Sequence, residues 1–166
     1  DEIAEMARSL DYYMTAIGKR ELALSQSEAR YRTLYHRTPV MLHSADASGR
    51  LISVSDYWLE CMGYARAEVN GRRVVAFLTR ESRRRALTEL TPRLFETGQI
   101  KNVELRCRRK NGEEFDVLLS AIIERDEAGG FVQSLTVLTD ISDQKHVEAQ
   151  LAASTVELQR SNAELE

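Results

Sequence analysis

The sequence predicts an α+β fold, a five-stranded antiparallel sheet with short helices on one face, flanked at both ends by coiled-coil helices. Five short segments are rich in apolar and β-branched residues, and the helical segments of the central part all fall between the second and third of them. Lys110-Asn111-Gly112-Glu113 is the strongest turn in the chain, because Asn-Gly tolerates the positive φ angles of a tight hairpin. Both ends carry apolar residues at seven-residue intervals, the mark of helices that pair along a narrow seam.

The first 38 residues contain no proline and a single glycine, Gly18. Ile3, Leu10, Ile17, Leu24 and Tyr31 stand at strict heptad spacing, while Arg20 and Ser27 interrupt the companion row. A polar helix with one such row buries it best against a copy of itself, so residues 1–38 read as one helix of a parallel coiled-coil homodimer, the alternative being an amphipathic helix folded back on its own domain. At ~1.5 Å per residue it reaches roughly 50 Å, too long for a small domain to cover. Pro39 ends it, since the residue before proline is pushed out of the helical region.

Residues 39–141 form the globular domain. Val40 to Ala45 and Leu51 to Ser55 read as strands around the turn Asp46-Ala47-Ser48-Gly49. Asp56 is placed to cap a short helix that Gly63 stops. Short helical turns follow at Ala65–Val69 and Val74–Leu78. A longer helix over Glu81–Thr97 contains Pro92, which predicts a kink or a fresh start capped by Thr91. Ile100–Arg109, Phe115–Ile123 and Phe131–Thr139 complete the sheet. From Ser142 the pattern is helical again, and residues 142–166 carry Leu151, Leu158 and Leu165 at heptad spacing as a second dimer seam.

Composition narrows the function. Of 166 residues 43% are hydrophobic and 30% charged, enough for one core plus exposed helices, and the net charge of −3 offers no basic field for nucleic acid. No run approaches the ~20 apolar residues needed to span a bilayer, so this segment is not membrane-embedded. Cys61 and Cys107 sit in apolar segments and read as reduced thiols of a cytoplasmic protein. The start at Asp1-Glu2-Ile3, without an initiator methionine or signal peptide, reads as that of an excised piece. Glycine-rich phosphate loops, metal-spaced His/Cys/Asp clusters and nucleophile–base pairs are not found, so the segment reads as non-catalytic.

Four strings in order resemble the PAS domain family over about residues 30–145. Asp46-Ala47-Ser48-Gly49-Arg50-Leu51-Ile52 is similar to its D-x-x-G-R-I turn. Trp58-Leu59-Glu60-Cys61-Met62-Gly63-Tyr64 with Glu68-Val69-Asn70-Gly71 resembles its W-L-x-x-x-G-Y…E-[LV]-x-G segment. Glu104 through Glu113 resembles E-x-R-x-x-R-K-D-G-E, and Asp140-Ile141-Ser142-Asp143-Gln144-Lys145 is similar to D-I-T-E-R-K. Asp1 through Ala7 resembles the second-helix start of a HAMP module, and Leu158 through Glu166 resembles the stretch leading into the phospho-accepting hairpin of histidine kinases. The resemblance implies a sensory or relay domain of a bacterial membrane receptor, with a sensor histidine kinase output in cis and a response regulator as partner. The alternative is a small-molecule sensor feeding a diguanylate cyclase or another output.

No cofactor is implied. Flavin-adduct relatives carry a cysteine where Gly71-Arg72-Arg73-Val74-Val75-Ala76 has none, and haem-binding relatives carry a histidine on the long helix, absent from Glu81–Thr97. An unidentified small molecule remains open as ligand. His43, in the apolar strand Val40–Ala45, is either a pocket-facing hydrogen-bonding group or a structural side chain. Trp58, with Tyr57, is either a cavity wall or a core anchor. Ser120, Ser134 and Thr136 are pocket contacts unless they face the other side of the sheet. Asp140, Ile141 and Ser142 form the relay: the Asp140 and Ser142 side chains can accept from backbone N–H groups at the start of the exit helix.

Overall fold

The computed structural model describes residues 2–165; Asp1 and Glu166, the outermost residues of the HAMP-like and kinase-linker strings, lie outside the described residues. The chain divides into two compact units between Thr38 and Pro39. The first is one helix, α1 (Glu2–Arg37), whose row Ile3, Leu10, Ile17, Leu24 and Tyr31 is exposed throughout.

The second unit contains the strands β1 (Met41–Ala45), β2 (Leu51–Val54), β3 (Gln99–Arg108), β4 (Glu114–Arg125) and β5 (Phe131–Asp140). They form one antiparallel sheet in the order β2-β1-β5-β4-β3. The helices α2 (Asp56–Met62), α3 (Arg66–Val69), α4 (Arg80–Arg85) and α5 (Thr91–Thr97), with a 3₁₀ turn at Val74–Phe77, all come between β2 and β3. The chain leaves through α6 (Ser142–Glu164). This is the α+β architecture expected from the order of patterned segments.

The core is the apolar side of the period-two alternation. Val103, Leu105 and Cys107 on β3 are buried with Phe115, Val117, Leu119 and Ala121 on β4, whereas Glu104, Arg106 and Arg108 are exposed. Ile100 faces the same side although it is out of phase with Val103. A bulge absorbs the extra residue: the register steps between Ile100 and Val103, Asn102 adopts φ 52°, and its N–H donates to Ser120 Oγ at 3.0 Å.

Two local details depart from the sequence expectation. Ser55, not Asp56, caps α2: the fully buried hydroxyl accepts from Trp58 N–H at 3.3 Å and Leu42 N–H at 3.0 Å, and donates to the Val40 carbonyl at 2.8 Å. Asp56 is left as the first helical residue, paired with Arg66 at 2.5 Å. The segment around Pro92 neither kinks at a cap nor restarts at Thr91. It runs on through a π turn at Ala86–Leu90, where Thr91 N–H reaches back five residues to the Ala86 carbonyl, so the missing proline N–H falls where the ladder is already widened. Gly63 ends α2 as expected, at φ 78° with its N–H on the Leu59 carbonyl.

Ser55 ties the start of β1 to the start of α2, so Ser55→Ala removes a cap and leaves buried backbone groups unpaired. A loss of about 2 kcal/mol is expected in urea unfolding monitored by circular dichroism. A change below about 0.5 kcal/mol would show that the hydroxyl is dispensable.

Candidate functional site: a cavity and its exit junction

A cavity of about 480 Å³ lies between the inner face of the sheet and the covering helices. Its size is in the range of small-molecule sites. The inward residues of the strands make the floor, among them His43, Leu105, Cys107, Leu119, Thr136 and Leu138. Trp58 and Met62 from α2, Phe77 from the 3₁₀ turn, and Leu90 and Leu94 from the long helical segment make the opposite wall. The helices stand there because their apolar sides have this sheet face to bury against; Trp58 and Phe77 meet edge to face, their ring centroids 5.1 Å apart.

Polar atoms are few. His43 is 3% exposed, held in the middle of β1 between Val54 of β2 and Thr136 of β5. Burial lowers its pKa from 6.5 to about 4, so the imidazole is neutral near pH 7. Its Nδ1 and the Nε1 of Trp58, a residue 2% exposed, have no hydrogen-bond partner among the described residues. Ser134 Oγ donates to the Ala45 carbonyl at 3.4 Å. Burial also pushes the Cys107 thiol up to about 12, which keeps it protonated. Cys61 is only half-buried.

Four of the five residues read as pocket contacts line this cavity: His43, Trp58, Ser134 and Thr136. Ser120 does not. Inward positions on β4 are odd-numbered, so Ser120 stands on the other face and serves the Asn102 bulge instead. Tyr57 is on the exposed side of α2 and does not line this cavity.

The second part of the site is the junction from which α6 departs. Asp140 accepts from Ser142 N–H at 2.9 Å through Oδ1, and through Oδ2 from Arg109 Nη2 at 3.2 Å. Ile141 is buried, and its N–H donates to the Asp116 carbonyl at 3.0 Å. Lys145, one turn on, bridges Glu104 at 2.9 Å and Asp116 at 3.7 Å, and the hydrogen bond to Glu104 raises its pKa. The expected cap by Ser142 is not made: its hydroxyl is buried without a partner among the described residues, and the helix-start contact comes from Asp140 alone.

Sequence reasoning passed over Arg109. Its guanidinium lies 3.8 Å from the centroid of the Phe115 ring, and it donates to the Cys61 carbonyl near the end of α2 as well as to Asp140. Lys110 repeats the link, with its N–H on the Met62 carbonyl at 2.9 Å and its ammonium on Glu68 at 2.6 Å. The helix that carries Trp58 and Met62 into the cavity is thereby fastened to the residue that aims α6. A signal was available: Val103, Leu105, Cys107 and Arg109 share one parity, so Arg109 is a charge at the end of an inward row. Asp140 ends the inward row Thr136, Leu138 in the same way.

A hollow antiparallel sheet with its covering helices between strands two and three, and an exit helix leaving the last strand, defines a sensory module. A family model described as PAS domain matches residues 37–143, and the chain belongs to the PAS domain family. Among solved structures it is similar to the PAS domain of a protein from Colwellia psychrerythraea, at 16% identity and a TM-score of 0.64 over 69% of this chain and 97% of that one. It is similar to the PAS domain of an HTR-like protein from Haloarcula marismortui, at 23% identity and 0.59 over 75% and 99%. It also resembles the PAS domain, in complex with ethanol, of a LuxR-family transcriptional regulator from Burkholderia thailandensis, at 18% identity and 0.57 over 68% and 97%. At these identities the likeness is one of fold. No curated protein matches the chain.

The depressed pKa of His43 has a pH consequence. With a folded value near 4 and an unfolded value near 6.5, the unfolded chain takes up the proton first as pH falls. The stability this residue allows is full above pH 6.5 and is lost between about 6.5 and 4. His43→Gln removes that component. Between pH 7 and 4.5 the variant is expected to lose roughly 2–3 kcal/mol less than the parent in paired urea titrations. Parallel losses in the two proteins would place His43 in contact with solvent.

Proposed function

We propose that this chain is the non-catalytic sensory and relay segment of a bacterial membrane receptor, working in the cytoplasm as a parallel homodimer upstream of a histidine kinase output that phosphorylates a response regulator. The resemblance of the first residues to a HAMP helix and of the last to a kinase linker supports that placement. The carrying observation is the geometry of α6. It is fixed to the sheet at its first turn by Asp140, Ile141 and Lys145, while Leu151 and Leu158 further along are exposed.

An isolated 23-residue helix of this composition is marginal in water, since most helical stability in proteins comes from a packed face. Pairing of the Leu151, Leu158 and Leu165 row with a second copy supplies that face. The row of α1 calls for the same partner, with Ile3, Leu10, Ile17, Leu24 and Tyr31 against their equivalents. Val147, Ser154 and Ser161 hold the companion positions in α6, giving a weak seam that can be reset.

A signal passes in this scheme because the two attachments of Arg109 cannot be shifted independently. Displacing α2 moves the Cys61 carbonyl, the guanidinium that it binds, and the carboxylate that sets the direction of α6. A stimulus acts by its differential affinity for two arrangements of this linkage.

Leu158→Asp, at a position 62% exposed in the single chain, is expected to lower the weight-average mass toward that of one chain while the far-ultraviolet sheet signal is kept. Light scattering at low micromolar concentration checks it, and an unchanged mass would sink the seam. Asp140→Ala is expected to cost about 1 kcal/mol in stability and to uncouple kinase output from stimulus in the full-length receptor. Normal regulated phosphorylation in that variant would remove the junction from the signalling route.

A further inference from the structure

We infer that one side of the helical segment beginning with α4 is a docking surface for an acidic segment of another protein, a short stretch carrying three or more carboxylates and an apolar side chain. The inference stands apart from the relay reading, since none of its residues belongs to the exit junction or to the proposed dimer seams.

Residues 71–85 contain six arginines and one glutamate, a net charge of +5 in a chain whose total is −3, so the remainder carries −8. Two of these arginines are occupied. The Arg72 guanidinium lies over the Phe77 ring, 4.7 Å from its centroid. Arg85 pairs with Glu89 at 3.3 Å, and its Nη1 donates to the Glu104 carbonyl at 3.0 Å. Arg73, Arg80, Arg83 and Arg84 are exposed and form no ion pair among the described residues.

Helical spacing gathers these charges. Ser82 and Ala86 are buried, whereas Arg80, Arg83, Arg84 and Leu87 stand at i, i+3, i+4 and i+7 on one exposed side. Arg83 Nε donates to the Val75 carbonyl at 3.0 Å, which holds that side against the loop carrying Arg73. Like charges three and four residues apart repel, and a cation in the first turn, as Arg80 is, opposes the helix dipole. Elsewhere the same segment relieves such repulsion, with Glu89 between Arg85 and Arg93. On the Arg80 side no carboxylate does so, and Leu87, 43% exposed, adds an apolar step beside the free guanidinium groups.

A guanidinium fork meets a carboxylate through two parallel hydrogen bonds, so the complement of this surface is a cluster of carboxylates. The surrounding charge limits the size of what bears them. A bilayer or a nucleic-acid duplex spreads its anionic groups more widely than the patch and would press them against a remainder that carries −8. A peptide segment of two or three helical turns touches the patch alone.

Titration of the unaltered, ¹⁵N-labelled chain with three probes tests the inference. They are a blocked peptide of about a dozen residues built from glutamate and leucine, its counterpart with glutamine for glutamate, and vesicles of phosphatidylserine and phosphatidylcholine. At low ionic strength the glutamate peptide is expected to shift the amide resonances of residues 73–87 saturably and to be released by salt. Arg80→Gln combined with Arg84→Gln is expected to weaken that binding about tenfold, the ratio that two exposed ion pairs give. The same variant is expected to unfold in urea at the parent's midpoint or above, because it removes a repulsion. Arg106→Gln combined with Arg108→Gln, at arginines already paired with carboxylates, is expected to bind as the parent does. Absence of saturable binding, equal affinity for the glutamine peptide, preferential adsorption to the vesicles, undiminished affinity in the Arg80 and Arg84 variant, or a lowered urea midpoint for it would each overturn the inference.

Discussion

Arg109 ties together two parts of this domain, the end of α2 and the start of α6. Its guanidinium rests on the face of Phe115, which keeps the long side chain in one place, and its donors divide between the Cys61 carbonyl and the Asp140 carboxylate. The planar fork can serve two acceptors in different directions, which the point charge of a lysine does less well. With the side chain only 20% exposed, the pair with Asp140 is better shielded from solvent than the ion pairs along α4 and α6. One residue at the end of β3 thus joins a cavity wall to the base of the exit helix.

The hollow interior follows from what surrounds it. The tie from Ser55 between β1 and α2 fixes where the helical cover begins. At the far end, Thr79 and Ser82 bind both the N–H and the carbonyl of Arg106, so the start of α4 is pinned to the edge strand β3. Between these fixed margins the side chains of Trp58, Phe77 and the leucines of the long segment enclose space rather than fill it.

Much of this was legible in the sequence. Period-two alternation and the Asn111-Gly112 turn placed the sheet, and ordered strings such as Asp46–Ile52 and Asp140–Lys145 resembled the family that the chain proves to belong to. The details that escaped are those where a polar side chain serves the backbone rather than a neighbour in sequence. Ser55 looked like the end of a strand because its three partners, at Val40, Leu42 and Trp58, are brought together only by the hairpin. Thr91 looked like a cap because the widened turn at Ala86–Leu90 has no composition of its own. Ser120 was left open between the cavity and the other face of the sheet; the parity of β4, with Phe115, Val117, Leu119 and Ala121 inward, already placed it on the opposite face.

Cys107 gives the cavity a further property. Its thiol lies in the floor, and burial holds it protonated far above physiological pH. An electrophilic visitor therefore meets no sulfur nucleophile there and forms no adduct. A molecule entering this cavity would leave as it came, with no covalent bond to the floor.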